Sequence, residues 1–176
     1  MDSLNRYFEG AIPQHIARGQ KLLQKIPKKL PREFQLLAQT CENEISHRLR
    51  FLDYLLNNLQ MQVPTFQPER LRQFRRIVTE LNRYETIGIA ALERHNDDDI
   101  RLNKLIERIC HEINYPLLLP VVTSLSQEYF HIHTDLNLMF VPLLEGSYLL
   151  HLPDIYHELA HPFFLRDLDP RVDPVR

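Results

Sequence analysis

Glycine is scarce in this sequence and cysteine scarcer still: the 176 residues include four of the first and two of the second. Four glycines are too few for the turns of an all-β protein, and no Gly-rich phosphate loop occurs anywhere. Cys41 and Cys110 lie far apart and match no metal-binding spacing. Both stand at apolar helical positions, so they read as buried free thiols in a reducing, cytoplasmic setting. An excess of either charge is also missing. The 21 Lys and Arg face 23 Asp and Glu, for a net of −2. That balance gives no global attraction to nucleic acid or to an anionic membrane, and neither is an expected partner. No apolar run is long enough to span a bilayer. The opening MDSLNRYFEGAIPQHIARGQ has neither the basic start nor the apolar core of a secretory signal.

An apolar fraction of 44% with 25% charged residues belongs to an ordinary globular chain. Its length suits one medium domain or two small ones. The twelve prolines punctuate it. In residues 1–30, PQHIARGQKLLQKI carries one helical stripe of Ile12, Ile16, Leu22, Leu23 and Ile26, and PKKLP then breaks it. From Pro31 to about Gln62, Phe34, Leu37, Cys41, Ile45, Leu49, Leu52, Leu56 and Leu59 recur every three or four residues. This spacing predicts a long amphipathic helix with Pro31 in its first turn. VPTFQP, residues 63–68, reads as a turn.

A second helix is expected from Pro68 to His95. Leu71, Phe74, Val78, Leu81, Glu85, Gly88 and Leu92 form its heptad stripe, with one polar member. The basic residues Arg70, Arg72, Arg75, Arg76 and Arg83 are balanced by Glu69, Glu80 and Glu85, as on a solvated helix face. HNDDD ends this helix, and one of its aspartates is expected to cap a third, from Asp98 to Ile113. Short connections force antiparallel packing, so residues 31–115 are expected to form a helical hairpin or three-helix bundle.

The pattern then changes. NYPLLLPVVTSL is too broken by proline for one helix. YFHIHTDLNLMFVP, residues 129–142, reads as one or two strands with a turn near HTDLN. LLEGSYLLHL reads as helical. Pro153 and Asp154 suit a further helix start, and Pro162 disturbs that helix's continuation. The expected architecture is mainly α with a minor β part. An N-terminal helical segment (1–30) precedes the bundle (31–115), a strand and motif-helix segment (116–165) and a polar tail (166–176).

The last of these helices carries HELAH, residues 157–161. On a helix, positions i and i+4 share a face, so His157 and His161 can reach one Zn²⁺ at about 2.0–2.1 Å. Glu158 lies beside them, slightly off that face. From there it can accept a proton from a zinc-activated water and pass it to a leaving amine. His157 and His161 are therefore the expected ligands and Glu158 the expected general base. The other near match, CHEINY, fails because Tyr115 occupies its second ligand position.

Together with the stretch before it, MFVPLLEGSYLLHLPDIYHELAH (139–161), the pentad resembles the zincin (HExxH) zinc metallopeptidases, in particular their bacterial zincin-like members. The resemblance covers about a quarter of the chain. It implies a motif helix packed under a sheet whose edge strand lines a substrate cleft, Zn²⁺ as cofactor, and hydrolysis of peptide or protein substrates.

A zincin needs a third protein ligand, and here the pattern departs. Phe164 stands where HExxHxxGxxH has glycine, Asp167 stands at its last position, and no glutamate follows Glu158. Asp167 is one candidate ligand. His131 and His133, which share one face of the expected strand, are others if that strand crosses the motif. His151 falls on another helical face or outside the helix. The missing ligand leads to the expectation that the chain is the N-terminal part of a longer, incomplete peptidase unit. Phe163, Phe164 and Leu165 would then be exposed where the remainder, or a second copy, packs. The alternative function is a non-catalytic helical interaction module with a vestigial or accidental HExxH.

Overall fold

The structure, a computed structural model, describes residues 2–58, 67–126, 129–142 and 152–168. The fold is mainly α with one small sheet. The elements are α1 (Asp2–Lys25), α2 (Arg32–Asn57), α3 (Gln67–Arg83), a π-helical turn (Tyr84–Ile89), α4 (Ala90–Arg94) and α5 (Asp97–Glu112). They are followed by β1 (Val121–Ser126), β2 (His131–His133), β3 (Leu138–Pro142) and α6 (Leu152–Leu168). The expected turn at 63–68 and the helix expected at LLEGSYLLHL lie almost wholly outside the described residues.

The chain divides into two compact units. The first is Met1–Lys29 with Ala38–Glu93, and the second is Leu30–Leu37 with Arg94–Arg176. The grouping differs from one read along the sequence: α1 joins the long helices, whereas α5 belongs with the sheet. The weak stripe of the first 30 residues becomes a 24-residue helix that continues past Pro13.

In the first unit the apolar stripes of α1, α2 and α3 supply the core. Phe8, Ile12, Leu22, Cys41, Ile45, Leu52, Phe74 and Leu81 are all buried. Gly19 on α1 sits against Leu49 on α2, and a Cβ at Gly19 would overlap the Leu49 side chain. The regular heptad expected from Leu71 to Leu92 is interrupted by the π-helical turn. Its extra residue per turn rotates the face, so Gly88 and Ile89 are buried together; before the turn, Ile77 is buried where Val78 was expected. Glu85, the polar member of the stripe, pairs with Arg18 and with Lys25 of α1, the latter at 3.1 Å. Arg48 pairs with Glu80 and, at 3.0 Å, with Glu44, while Arg76 reaches Glu80 at 2.9 Å.

In the second unit the strand order is β1-β3-β2, with β1 parallel and β2 antiparallel to β3. No strand is expected at β1 from the sequence. Its β-branched run Val121, Val122 and Thr123 follows Pro120 directly and shows no polar alternation, because both faces are buried. The α5 cap is Asn96 and not an aspartate. Its Oδ1 accepts from the Asp98 and Asp99 N–H groups, and Asp99 completes a capping box.

Asp99 and Asn103 also seal the outer edge of β1. Asn103 Nδ2 donates to the Val122 carbonyl at 2.7 Å, and Asn103 Oδ1 accepts from the Val122 N–H at 2.9 Å. Asp99, fully buried, accepts from the Ser124 N–H at 2.6 Å. A side-chain amide thus stands in for a neighbouring strand. On one sheet face Val122, Met139 and Val141 pack with Leu102, Ile106 and Ile109 of α5 and with Ile155 and Leu159 of α6.

Candidate metal centre

Helix α6 begins with Leu152, Pro153 and Asp154, a start that puts a carboxylate in the first turn. Ile155 and Leu159, one turn apart, are buried against the sheet and fix which way the helix faces. At about 100° per residue, His157 and His161 fall about 200° and 240° around from Ile155, on the outer side. Glu158 falls at about 300°, on the margin between the outer side and the core. Burial follows this geometry. Glu158 is 7% exposed, and the His161 side chain is 47% exposed.

The two imidazole rings meet edge to face with centroids 4.8 Å apart, at an interplanar angle of 84°. The Nε2 of His161 lies 3.9 Å from Oε1 of Glu158. One ligand atom from each of His157, Glu158 and His161 can be chosen so that all three lie within 4.8 Å of one another. Among the described residues this is the sole group of three or more such side chains. Ligands at 2.0–2.1 Å from a tetrahedral ion sit about 3.3 Å apart, so a spread of 4.8 Å makes this group a candidate for holding one cation. Two imidazoles and a carboxylate suit Zn²⁺ and other divalent transition metals alike.

The further ligands proposed from sequence are not brought to this point. His131 and His133 lie on β2, as expected, and their rings sit on one face. That face is the wrong one. His131 stacks on Phe140 with centroids 4.7 Å apart, and His133 meets the same ring at 5.5 Å. Strand alternation puts Phe140 opposite to Met139 and Val141, whose side chains face α5 and α6. His131 and His133 therefore project away from the motif helix.

Asp167, a candidate ligand, is expected in a polar tail. Instead α6 runs through Pro162 to Leu168. Six residues of continuing helix carry the Asp167 backbone about 9 Å along the axis from His161. Pro162 removes only the N–H that would have bonded the Glu158 carbonyl, and the helix tolerates that loss. The side chain of Asp167 lies outside the described residues, as do His151 and the side chain of Leu165. Phe163 packs edge to face on Tyr115, with centroids 5.4 Å apart, and Phe164 is 66% exposed.

Helix α6 also runs close to β2. The Val121 N–H donates to the Asn137 carbonyl, so residues 137, 139 and 141 face β1 while 138 and 140 pair with β2. The N–H and C=O of Ile132 consequently point out of the sheet at its β2 edge. The helix expected at 98–113 is present as α5, but its packing against the sheet, the strand β1 and the Asp99–Asn103 clip are not legible in the sequence. The one available signal was the capping box in NDDD. Comparison of the chain with protein-family models, with curated proteins and with solved structures returns no match.

Proposed function

We propose that the chain carries the metal-binding helix of a zinc-dependent hydrolase of zincin type, acting on peptide bonds. The observation that carries this reading is the convergence of His157, Glu158 and His161 on the outer side of a helix packed against a sheet. Two features support it. Helix α6 runs close to an edge strand, β2, with one backbone amide facing outward where an extended substrate could align. The carboxylate between the two imidazoles is the buried member of the three.

In this reading His157 and His161 hold the cation through ring nitrogens. When bound, Zn²⁺ polarises the substrate carbonyl and acidifies water. Glu158 takes up the released proton on its carboxylate and delivers it to the departing amine. Burial against Ile155 and Leu159 keeps α6 fixed while the substrate enters from the exposed side.

A second reading, a helical interaction module with a non-catalytic pentad, is favoured by the lack of a third protein ligand beyond Glu158 among the described residues. Metal analysis of untagged protein separates the two. The hydrolase reading expects zinc near stoichiometry, lost in His157→Ala and in His161→Ala. In Glu158→Gln it expects retained zinc with peptide hydrolysis abolished. Equal, low metal content in wild type and both histidine variants would sink it.

A further inference from the structure

The near-zero net charge conceals an uneven distribution. Five of the twelve residues from Arg18 to Lys29 are cationic and none is acidic. The other 164 residues therefore carry 16 cations against 23 carboxylates, a net of −7. The basic stretch is the last two turns of α1 and the bend that follows, all within the first unit. Glu85 engages Arg18 and Lys25. Lys21, Lys28 and Lys29 are exposed and have no carboxylate partner among the described residues.

The neighbours of these lysines narrow the chemistry. Gln20 and Gln24 are exposed beside Lys21 and Lys25, so a Gln-Lys pair repeats one turn, about 6 Å, further along the helix. The apolar residues of the stretch turn inward: Leu22 is buried, and Leu23 and Ile26 are half-buried. A surface of ammonium and amide donors with no exposed apolar side chain has nothing to insert into a bilayer. It does present the donors that contact phosphate oxygens of nucleic acid. No aromatic residue occurs in the stretch, so bases have nothing there to stack on. Glu85 offsets part of the charge of Arg18 and Lys25, which leaves Lys21, Lys28 and Lys29 as the local excess.

We infer that the C-terminal end of α1 and its following bend form a docking surface for the phosphate backbone of nucleic acid, independent of base sequence. Lys21, Lys28 and Lys29 are its principal contacts. This surface is separate from the proposed metal centre and does not depend on it.

The test is fluorescence anisotropy of a short labelled DNA duplex with the full chain. Binding is expected at about 50 mM salt, weakening steeply as salt rises. Lys21→Glu/Lys28→Glu/Lys29→Glu should lower affinity at least about tenfold and flatten the slope of log K against log salt by about 3. The milder Lys21→Gln/Lys28→Gln/Lys29→Gln, checked for native circular dichroism, should flatten it in the same direction. Arg101→Glu/Lys104→Glu/Arg108→Glu, an equal charge change on exposed positions of α5, should leave binding near wild type. No duplex binding at low salt, binding kept in both lysine triples, or equal loss in the α5 triple would overturn the inference. Binding to anionic vesicles or polyglutamate in place of DNA would do the same.

Discussion

The two units use charge in opposite ways. In the first, partly exposed ionic groups meet opposite charges on neighbouring helical segments: Arg48 meets Glu80, and Glu85 meets Arg18 and Lys25. In the second, the buried carboxylate Asp99 meets backbone N–H groups, and the buried Glu158 has two exposed imidazoles as neighbours. An ion pair between helices explains itself as packing. A buried carboxylate flanked by imidazoles a single turn apart has no comparable structural duty, and that contrast singles out α6 as the place to look for chemistry.

The contrast breaks most visibly at Asp99. Asp99→Ala leaves the buried Ser124 N–H without an acceptor and removes the capping-box partner of the more exposed Asn96 N–H. A loss of about 2–4 kcal/mol is expected in urea unfolding. A loss below about 1 kcal/mol would mean that the clip adds little to holding β1. Next comes the helix contact in the first unit. Gly19→Ala forces the Leu49 side chain to shift, and after the helix gain of about 0.5–1 kcal/mol it should cost a net of about 0.5–2 kcal/mol. On the same helix Gly10 has nothing within 4 Å of a new Cβ. Gly10→Ala should therefore stabilise by about 0.5–1 kcal/mol, so the two variants should move the melting temperature in opposite directions.

The ionic half of the comparison is sharpened by pH. Burial pushes the Glu80 carboxyl up, but hydrogen bonds and charge from Arg48 and Arg76 outweigh it and hold the group below its usual value of 4.5. A depressed folded-state value stabilises the native chain above pH 4.5, and that contribution disappears as pH falls through the folded value. Thermal melts of wild type and Glu80→Gln should thus differ most near neutrality and converge in acid. The smallest effect concerns the thiols. Burial pushes Cys41 up to about 12 and Cys110 up to about 11, and both are free. Neither should be alkylated at pH 8 until the protein unfolds, as mass spectrometry would record.

Much of the helical framework can be read from the sequence because its signals are local. The stripe from Phe34 to Leu52 gives α2 directly, and HELAH gives the face shared by His157 and His161. Three features depend on distant partners and leave no local trace. β1 reads as a proline-broken stretch because its pairing partner, β3, lies beyond the HTDLN turn. The π-helical turn cannot be seen in a heptad that looks intact on paper. His131 and His133 alternate correctly, but which face of β2 meets α6 is set by Met139 and Val141, not by the histidines.

The plugging of β1 by Asn103 and Asp99 bears on how copies of this protein can associate. Fibre-like stacking through exposed backbone requires two open sides on every sheet, one to receive a neighbour and one to offer itself to the next. A sheet stoppered on one side can join at most a single companion, so growth by that route halts at a pair.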